Sequence, residues 1–299
     1  MELDKEKISL LCKSIKNKKT LSGLKEEFIL KEINRFLLQN PKQKNELLNK
    51  DLNHFERGAS FKETVKGIRQ VLHKYHGSFK IENKTKEIEK EGFLKKLKEA
   101  DNKLSLEIHK DVLETSLSTK ERIEFYDSLY KDLFKITSPP KSILDLGSGM
   151  NPLSFPFMGL KNIEYLATEI NEKDINFLNS YFAFMENKGL KGRAVFLDLN
   201  NKESQEKLKE ISRVDICFAF KLFESIELSK KKKFSKIEEI IKNLSSDWIV
   251  VSFPTKTLSQ KEMNFKKRIW FELMLKRLKL KFFEVEKSNE IFYVIRNKA

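Results

Sequence analysis

Cysteine, histidine and long hydrophobic runs are all scarce in this chain. Its 299 residues include two cysteines, Cys12 and Cys217, far apart and without a C-x-x-C pair. Such cysteines form neither a disulfide framework nor a thiolate metal site, and they read as belonging to a reducing, cytoplasmic compartment. The four histidines, at 54, 73, 76 and 109, have no ligand spacing. His73 and His76 are one helical turn apart, but no second pair of ligands accompanies them, so no metal is expected. No apolar run nears the roughly 18 residues of a membrane span. The start, "MELDKEKISLLCKSIKNKKT", lacks the apolar region of a secretion signal. There is no internal repeat, and the low-complexity tract is short, "SKKKKF" at 229–234.

What is present fits a folded, basic protein. A hydrophobic content of 39% with 24 Phe can fill a real core, and the length suits one large or two ordinary domains. The net charge of +15 is uneven. Residues 1–80 hold 18 Lys and Arg against 10 Asp and Glu; residues 81–140 hold 12 against 13; residues 141–299 hold 29 against 21. The excess suggests a polyanionic partner, although a lysine-rich solvated surface gives the same composition.

Two textures divide the chain. Residues 1–137 read as helices. Leu24, Phe28, Ile29, Ile33, Phe36 and Leu37 share one face, as do Phe61, Val65, Ile68, Val71 and Leu72. Ser60 with Glu63 reads as a capping box. Thr119 reads as the cap of a helix that turns Ile123, Tyr126, Leu129, Tyr130 and Leu133 inward, and "TSPP" at 137–140 ends the pattern. Apolar strands then alternate with helical segments. The strands are "KSILDLG", 163–170, 193–200, 214–223, 247–254 and two joined at Ser288-Asn289; the helices are 171–187, 202–211, 232–243 and 264–278. This order predicts an α/β fold, a doubly wound and largely parallel sheet with a terminal hairpin.

In such a sheet, ligands bind beyond the carboxyl ends of the strands. The first strand ends in "SILDLGSGMNPLSFPF". Gly147 and Gly149 let the backbone pass close to a ligand. The loop has no G-K-[ST] and no third glycine, which excludes a triphosphate loop and a dinucleotide fingerprint. Glu169 ends the second strand, where a carboxylate accepts both ribose hydroxyls of a nucleoside. Asp198 ends the third, where one meets an adenine amino group. Singly, each acid is a solvated strand end or a cap; jointly they favour a nucleoside without a pyrophosphate. S-adenosylmethionine fits that description.

Three stretches, "ILDLGSGMNPL", "FKLFESIE" and "VSFPTKTLS", resemble motifs of the 16S rRNA (guanine-N7) methyltransferases. These are the aminoglycoside-resistance enzymes that modify a decoding-site guanine in the 30S subunit. Asp145, Gly149, Asn151, Pro152 and Leu153 match the family pattern. "SLSTKERIEFYDSLY" and "LHKYHGSF" resemble two upstream segments. The resemblance implies a Rossmann-like class I methyltransferase domain over 113–299, preceded by an all-helical N-terminal domain over 1–112 that docks on the ribosomal subunit. It implies a monomer, S-adenosylmethionine as cofactor, and a site of Arg122, Asp145, Gly147, Ser148, Gly149, Asn151, Glu169, Asp198, Leu199 and Phe220. Arg122 would pair with the methionine carboxylate, Asn151-Pro152 would stiffen the loop, and Leu199 and Phe220 would flank the adenine. Ser148 stands where relatives often carry Cys. The family's glycine and arginine after Ser259 are replaced by "QKEMNFKKR".

Guanine N7 has a free lone pair, so methyl transfer needs alignment rather than a general base, and no catalytic base is assigned. The marks of rival chemistries are missing. The place after the fourth strand reads "FKLFES" instead of Asn/Asp-Pro-Pro-Tyr/Phe, and Cys217 lies inside an apolar strand. Phe253 and Pro254 are candidates for the walls of a target-base pocket, with Lys221 and Lys256 at neighbouring strand ends. Lys66, Arg69, His73 and Lys74 form the candidate RNA-facing strip. The alternatives are a methyltransferase of adenine N1 in rRNA or of tRNA, and a non-catalytic basic RNA-binding or ribosome-assembly protein.

Overall fold

The computed structural model describes residues 3–75, 85–100, 102–211, 213–226, 234–257 and 259–297. The chain divides into two compact units, residues 1–82 with 170–173, and residues 83–169 with 174–299.

The first unit is built on α1 (Lys5–Lys16), α2 (Glu26–Gln39), α3 (Pro41–Asn49) and α4 (Ala59–Tyr75). Asp4 caps α1 by accepting from the Lys7 amide at 2.8 Å. The Lys7 ammonium caps the other end of α3, donating to the Leu47 and Leu48 carbonyls at 3.1 and 3.0 Å. The periodic residues Phe28, Ile29, Ile33 and Leu37 of α2 and Phe61, Val65, Ile68 and Leu72 of α4 are buried as expected. Gly67 lets the two helices meet, since a Cβ there would lie 2.5 Å from the Phe36 ring. The cap of α4 differs from expectation: Lys62 donates to the Gly58 carbonyl, which leaves Ser60 inside the first turn.

In the second unit α5 (Thr85–Glu99), α6 (Asn102–Leu113), α7 (Leu117–Lys120) and α8 (Tyr126–Thr137) precede β1 (Ser142–Asp145). Then follow β2 (Ile163–Glu169), α9 (Glu172–Met185), β3 (Leu190–Phe196), α10 (Lys202–Lys207), β4 (Val214–Phe220), α11 (Phe223–Ile226), α12 (Ser235–Asn243), β5 (Ser246–Pro254), α13 (Ile269–Arg277), β6 (Lys281–Lys287) and β7 (Glu290–Arg296). The seven strands are ordered β3-β2-β1-β4-β5-β7-β6. The first five are parallel, and β7 runs antiparallel between β5 and β6. The alternating strands, the helices between them and the terminal hairpin are those the sequence predicts.

Alternation along each strand sorts side chains onto two faces. One face carries Ile143, Tyr165, Ile216, Phe218, Phe220, Val250, Phe292 and Val294, packed with Tyr126, Leu129, Tyr130 and Leu133 of α8. The other carries Leu144, Cys217, Ala219, Ile249, Val251, Phe253 and Tyr293. Phe93 and Leu97 of α5 and Ile108, Val112 and Leu113 of α6 belong to the first of these cores. Residues 85–113 therefore fold with the sheet, although the sequence reading assigned 1–112 to the N-terminal domain. Thr119 is not the cap of α8. It is buried in α7, donating to the Leu113 and Ser116 carbonyls, and α8 begins seven residues later at Tyr126.

Candidate active site

The β1 loop is fastened to the tip of β2. Gly147 and Gly149 take φ of +56° and +51°, values open to glycine at little cost. The Gly147 amide donates to Thr168 Oγ1 at 3.2 Å and the Ser148 amide to the Thr168 carbonyl at 2.9 Å. The Gly149 amide donates to Glu169 Oε2 at 3.1 Å. Glu169 is thus drawn against the loop, and the Leu197 amide donates to its carbonyl at 3.1 Å. Asp198 follows, buried, with Oδ1 accepting from the Asn200 amide at 2.9 Å. The structure brings the tips of β1, β2 and β3 together.

Asn151 and Asp145 lie beneath that loop. Asp145 Oδ2 accepts from Tyr165 Oη at 2.6 Å and from Asn151 Nδ2 at 2.9 Å, and Asn151 Oδ1 accepts from Tyr126 Oη at 3.1 Å. Burial raises the Asp145 pKa from 3.8 to about 6, against the lowering effect of its hydrogen bonds. A 3-10 helix, Asn151–Phe157, starts here, with Pro152 in its first turn, where a missing amide proton costs no bond. Asn151-Pro152 is therefore a buried pin that joins β1, β2 and α8. Both ends of the Asn151 amide are engaged within the protein, so among the expected cofactor-site residues it serves by stiffening the loop.

Arg122 lies on the same face and is almost fully buried. Its Nε and Nη2 donate to Glu290 Oε2 and Oε1 at 2.9 and 2.7 Å, and its guanidinium stacks 4.9 Å above the Phe220 ring. Glu290 opens β7, has no exposed surface, and also accepts from Ser252 Oγ. Desolvation opposes its charge, but Arg122 and Lys221 more than offset that and hold its pKa below the usual carboxylate value. Lys221 Nζ lies 3.4 Å from Glu290 and 2.5 Å from Glu121 Oε2. Arg122, Glu290, Lys221 and Glu121 thus form a chain of alternating charges along the tips of β4, β5 and β7.

Other expectations are revised. Phe253 is fully buried, with ring centroids of Phe271, Trp270 and Tyr293 at 5.1, 5.7 and 5.9 Å. It is a core residue and no stacking platform for a base. Leu199 and Phe220 belong to cores on opposite faces of the sheet, and Phe220 packs on Phe218 and Phe292. Lys221 is buried among carboxylates rather than extended to a phosphate. Pro254 is half-buried, its carbonyl accepting from Arg268 at 2.9 Å, and the Lys256 backbone forms an isolated antiparallel β-bridge with that of Glu262. In α4, Lys66 is exposed and His73 half-buried, while Arg69 donates to the Ser14 carbonyl; the Lys74 side chain lies outside the described residues. Sequence reading missed Glu121 and Glu290. For Glu290 the signal was parity, since positions 290, 292 and 294 share the face of β7 that packs with α8.

The loop fits a nucleoside-bearing cofactor. Ser148 Oγ is buried without a hydrogen-bond partner among the described residues, and a Cβ at Gly149 would meet nothing within 4 Å. Among the described residues no group of His, Cys, Asp and Glu could hold a metal ion, and no helix is long and apolar enough to cross a membrane.

A 3-2-1-4-5-7-6 sheet with a glycine turn after β1 and acids closing β2 and β3 defines a Rossmann-like class I methyltransferase, here preceded by a helical unit. Comparison with known proteins narrows the class. The model of a family described as ribosomal RNA methyltransferase (FmrO) matches residues 44–294, and the chain belongs to that family. It is 26% identical over 239 residues to the 16S rRNA (guanine(1405)-N(7))-methyltransferase of Micromonospora rosea, covering 78% of this chain and 82% of that one. The enzyme of the same description from Proteus mirabilis is 26% identical over 254 residues, covering 78% and 84%. The fold matches that of the 16S rRNA methyltransferase RmtF in complex with S-adenosyl-L-homocysteine, with a TM-score of 0.72 at 19% identity over 99% of both chains.

Proposed function

We propose that this chain is an S-adenosylmethionine-dependent methyltransferase of 16S rRNA that methylates N7 of a guanine in the decoding region of the 30S subunit. The observation that carries the reading is the family match across 44–294, joined to curated relatives described as guanine-N7 methyltransferases. The geometry supports it: the β1–β3 tips offer a glycine turn, an unpartnered buried hydroxyl and two carboxylates in one place. When bound, the cofactor supplies an electrophilic methyl group on a sulfonium. Glu169 would hold the ribose hydroxyls. Arg122, held by Glu290 through Nε and Nη2 and bonded also to Tyr126, would present its charge to the methionine carboxylate. Lys66 and His73, on one side of α4, would meet rRNA phosphate. Acting on ribosomal RNA, it would work in the cytoplasm, and it would do so as a monomer.

The test combines isothermal calorimetry with S-adenosylmethionine and radiolabelled methyl transfer to unmodified 30S subunits. Borohydride and aniline then cleave the RNA at any N7-methylguanine. Cofactor binding and one new cleavage in 16S rRNA are expected. No cofactor binding would point to a non-catalytic RNA-binding protein. Transfer to tRNA, or to adenine N1 in rRNA, would overturn the guanine assignment.

A further inference from the structure

We infer that Glu121 and Lys221 read the Watson–Crick edge of the target guanine, and that Glu121 also stabilises the charge created by methylation at N7. The inference rests on the proposed function above.

Glu121 and Arg122 are neighbours that part ways. Arg122 enters the sheet face, with a side chain 2% exposed, while Glu121 stays at the rim at 18%. Glu121 is held in place from three sides. Oε2 is 2.5 Å from Lys221 Nζ, Oε1 accepts from Gln260 Nε2 at 3.0 Å, and the backbone carbonyl accepts from Asn289 Nδ2 at 3.3 Å. Asn289 Oδ1 is a buried acceptor without a partner among the described residues. Lys221 is the first residue past β4 and takes φ of +53°. Its amide secures that costly conformation by donating to the Ser252 carbonyl at 3.1 Å and Ser252 Oγ at 3.0 Å. The next residue, Leu222, lies against the β1 turn, since a Cβ on Gly147 would be 2.7 Å from Leu222 Cδ1. The ion pair therefore stands beside the glycine loop, at the strand ends where a doubly wound sheet takes its ligands.

Its pattern matches one base. Guanine presents an O6 acceptor beside N1–H and N2–H donors. An ammonium next to a carboxylate offers donors to O6 and acceptors to N1–H and N2–H. Adenine reverses the pattern, turning its amino group toward the ammonium and its bare N1 toward the carboxylate. The reaction adds a second demand. The N7 lone pair forms the new bond to the methyl carbon, the C–S electron pair returns to sulfur, and one positive charge passes from the sulfonium to the purine. A carboxylate on the N1–H and N2–H edge interacts more strongly with that cation than with neutral guanine, which favours the transition state.

The test uses the full-length protein, wild type, Glu121→Ala and Glu121→Gln, with 30S subunits reconstituted around 16S rRNA carrying guanosine or inosine at the mapped base. Inosine lacks the N2 amino group. Wild type is expected to lose on the order of 10- to 100-fold in kcat/KM on inosine, the worth of a hydrogen bond to a charged acceptor. Glu121→Ala is expected to lose about 100-fold or more in kcat on guanosine, with a guanosine-to-inosine ratio near unity and S-adenosylmethionine affinity within about twofold of wild type by calorimetry. A wild type indifferent to inosine, or a Glu121→Ala protein that keeps the wild-type ratio, overturns the inference. If Glu121→Ala fails to bind cofactor through misfolding, the wild-type inosine ratio and Glu121→Gln decide. Wild type that methylates guanine N7 while Glu121 proves dispensable sinks this inference alone; wild type inert on every 30S subunit sinks the proposed function with it.

Discussion

Glu290→Gln should be among the most damaging single-atom changes available in the sheet unit. The native carboxylate has no exposed surface and faces the Arg122 guanidinium at 2.7 and 2.9 Å, Lys221 at 3.4 Å, and the Ser252 hydroxyl. Glutamine keeps one acceptor. Its amide nitrogen must then point at a cation whichever way the side chain turns, because both carboxylate oxygens accept from positively charged donors. Arg122 and Lys221 would remain buried with only the rim carboxylate of Glu121 to balance them. Breaking a buried pair by removing one partner costs about 3–5 kcal/mol. Both tryptophans, Trp248 and Trp270, lie in the sheet unit, so urea unfolding followed by intrinsic fluorescence reports that unit. The loss should depend on pH. The Glu290 pKa is depressed on folding, so its stabilisation is complete above the unfolded value of 4.5 and is lost as pH falls through the folded one. Wild type and variant should therefore converge in acid. Equal unfolding midpoints at pH 7, or a constant gap down to pH 3, would refute the buried-pair account.

Asp145 should behave in the opposite sense. Its pKa rises from 3.8 to about 6 on folding, so the native state holds the proton more tightly. This contribution is complete below the unfolded value and is lost as pH climbs through about 6. The shift corresponds to roughly 3 kcal/mol, so Asp145→Asn should gain on wild type in urea midpoint between pH 4 and 7; parallel profiles would contradict this. Glu169→Ala should weaken S-adenosylmethionine binding about 10- to 100-fold by calorimetry, the loss of charge-assisted bonds to hydroxyls; unchanged affinity would remove the ribose assignment. Gly147→Ala forces a Cβ to 2.7 Å from Leu222 at φ +56°, which should cost about 1–3 kcal/mol, visible as a lowered midpoint, and loosen cofactor binding; a neutral result would mean the turn adapts freely.

The parts of this protein that follow from local periodicity were legible in the sequence. The strands from 142 to 296 and the faces of α2 and α4 come from spacing alone, because side-chain period is fixed by backbone geometry. The acids at the strand tips were also legible, since topology decides where a strand ends. Long-range pairing was not. Arg122 and Glu290 are 168 positions apart, and no local pattern announces that they meet. Parity also went unused at Phe253. An aromatic residue at a strand end reads as a base platform until the register with β7 turns it toward Phe271 and Tyr293. The boundary of the helical unit was obscured for a related reason. Helical periodicity continues through α5 and α6, and only burial shows that Phe93 and Leu97 pack with the sheet.

Charge is divided between the surface and the site, and that division bears on function. The whole chain carries +15, which draws RNA toward it over the range of the screened field. The strand tips have the opposite balance. Among the described residues, the tips carry Glu121, Asp145, Glu169, Asp198 and Glu290, with Arg122 and Lys221 beside them. Proton uptake by Asp145 moderates the excess without removing it, since its pKa of about 6 leaves it mostly ionised at neutral pH. Acidic strand tips in a basic protein repel phosphate and welcome a cation. A reaction that begins with a positive sulfonium and ends with a positive purine keeps one cationic charge in the pocket throughout. The basic exterior would then capture the RNA while the acidic interior holds the charge being transferred, so reversing charges on α4 and at the strand tips should separate binding of the 30S subunit from methyl transfer.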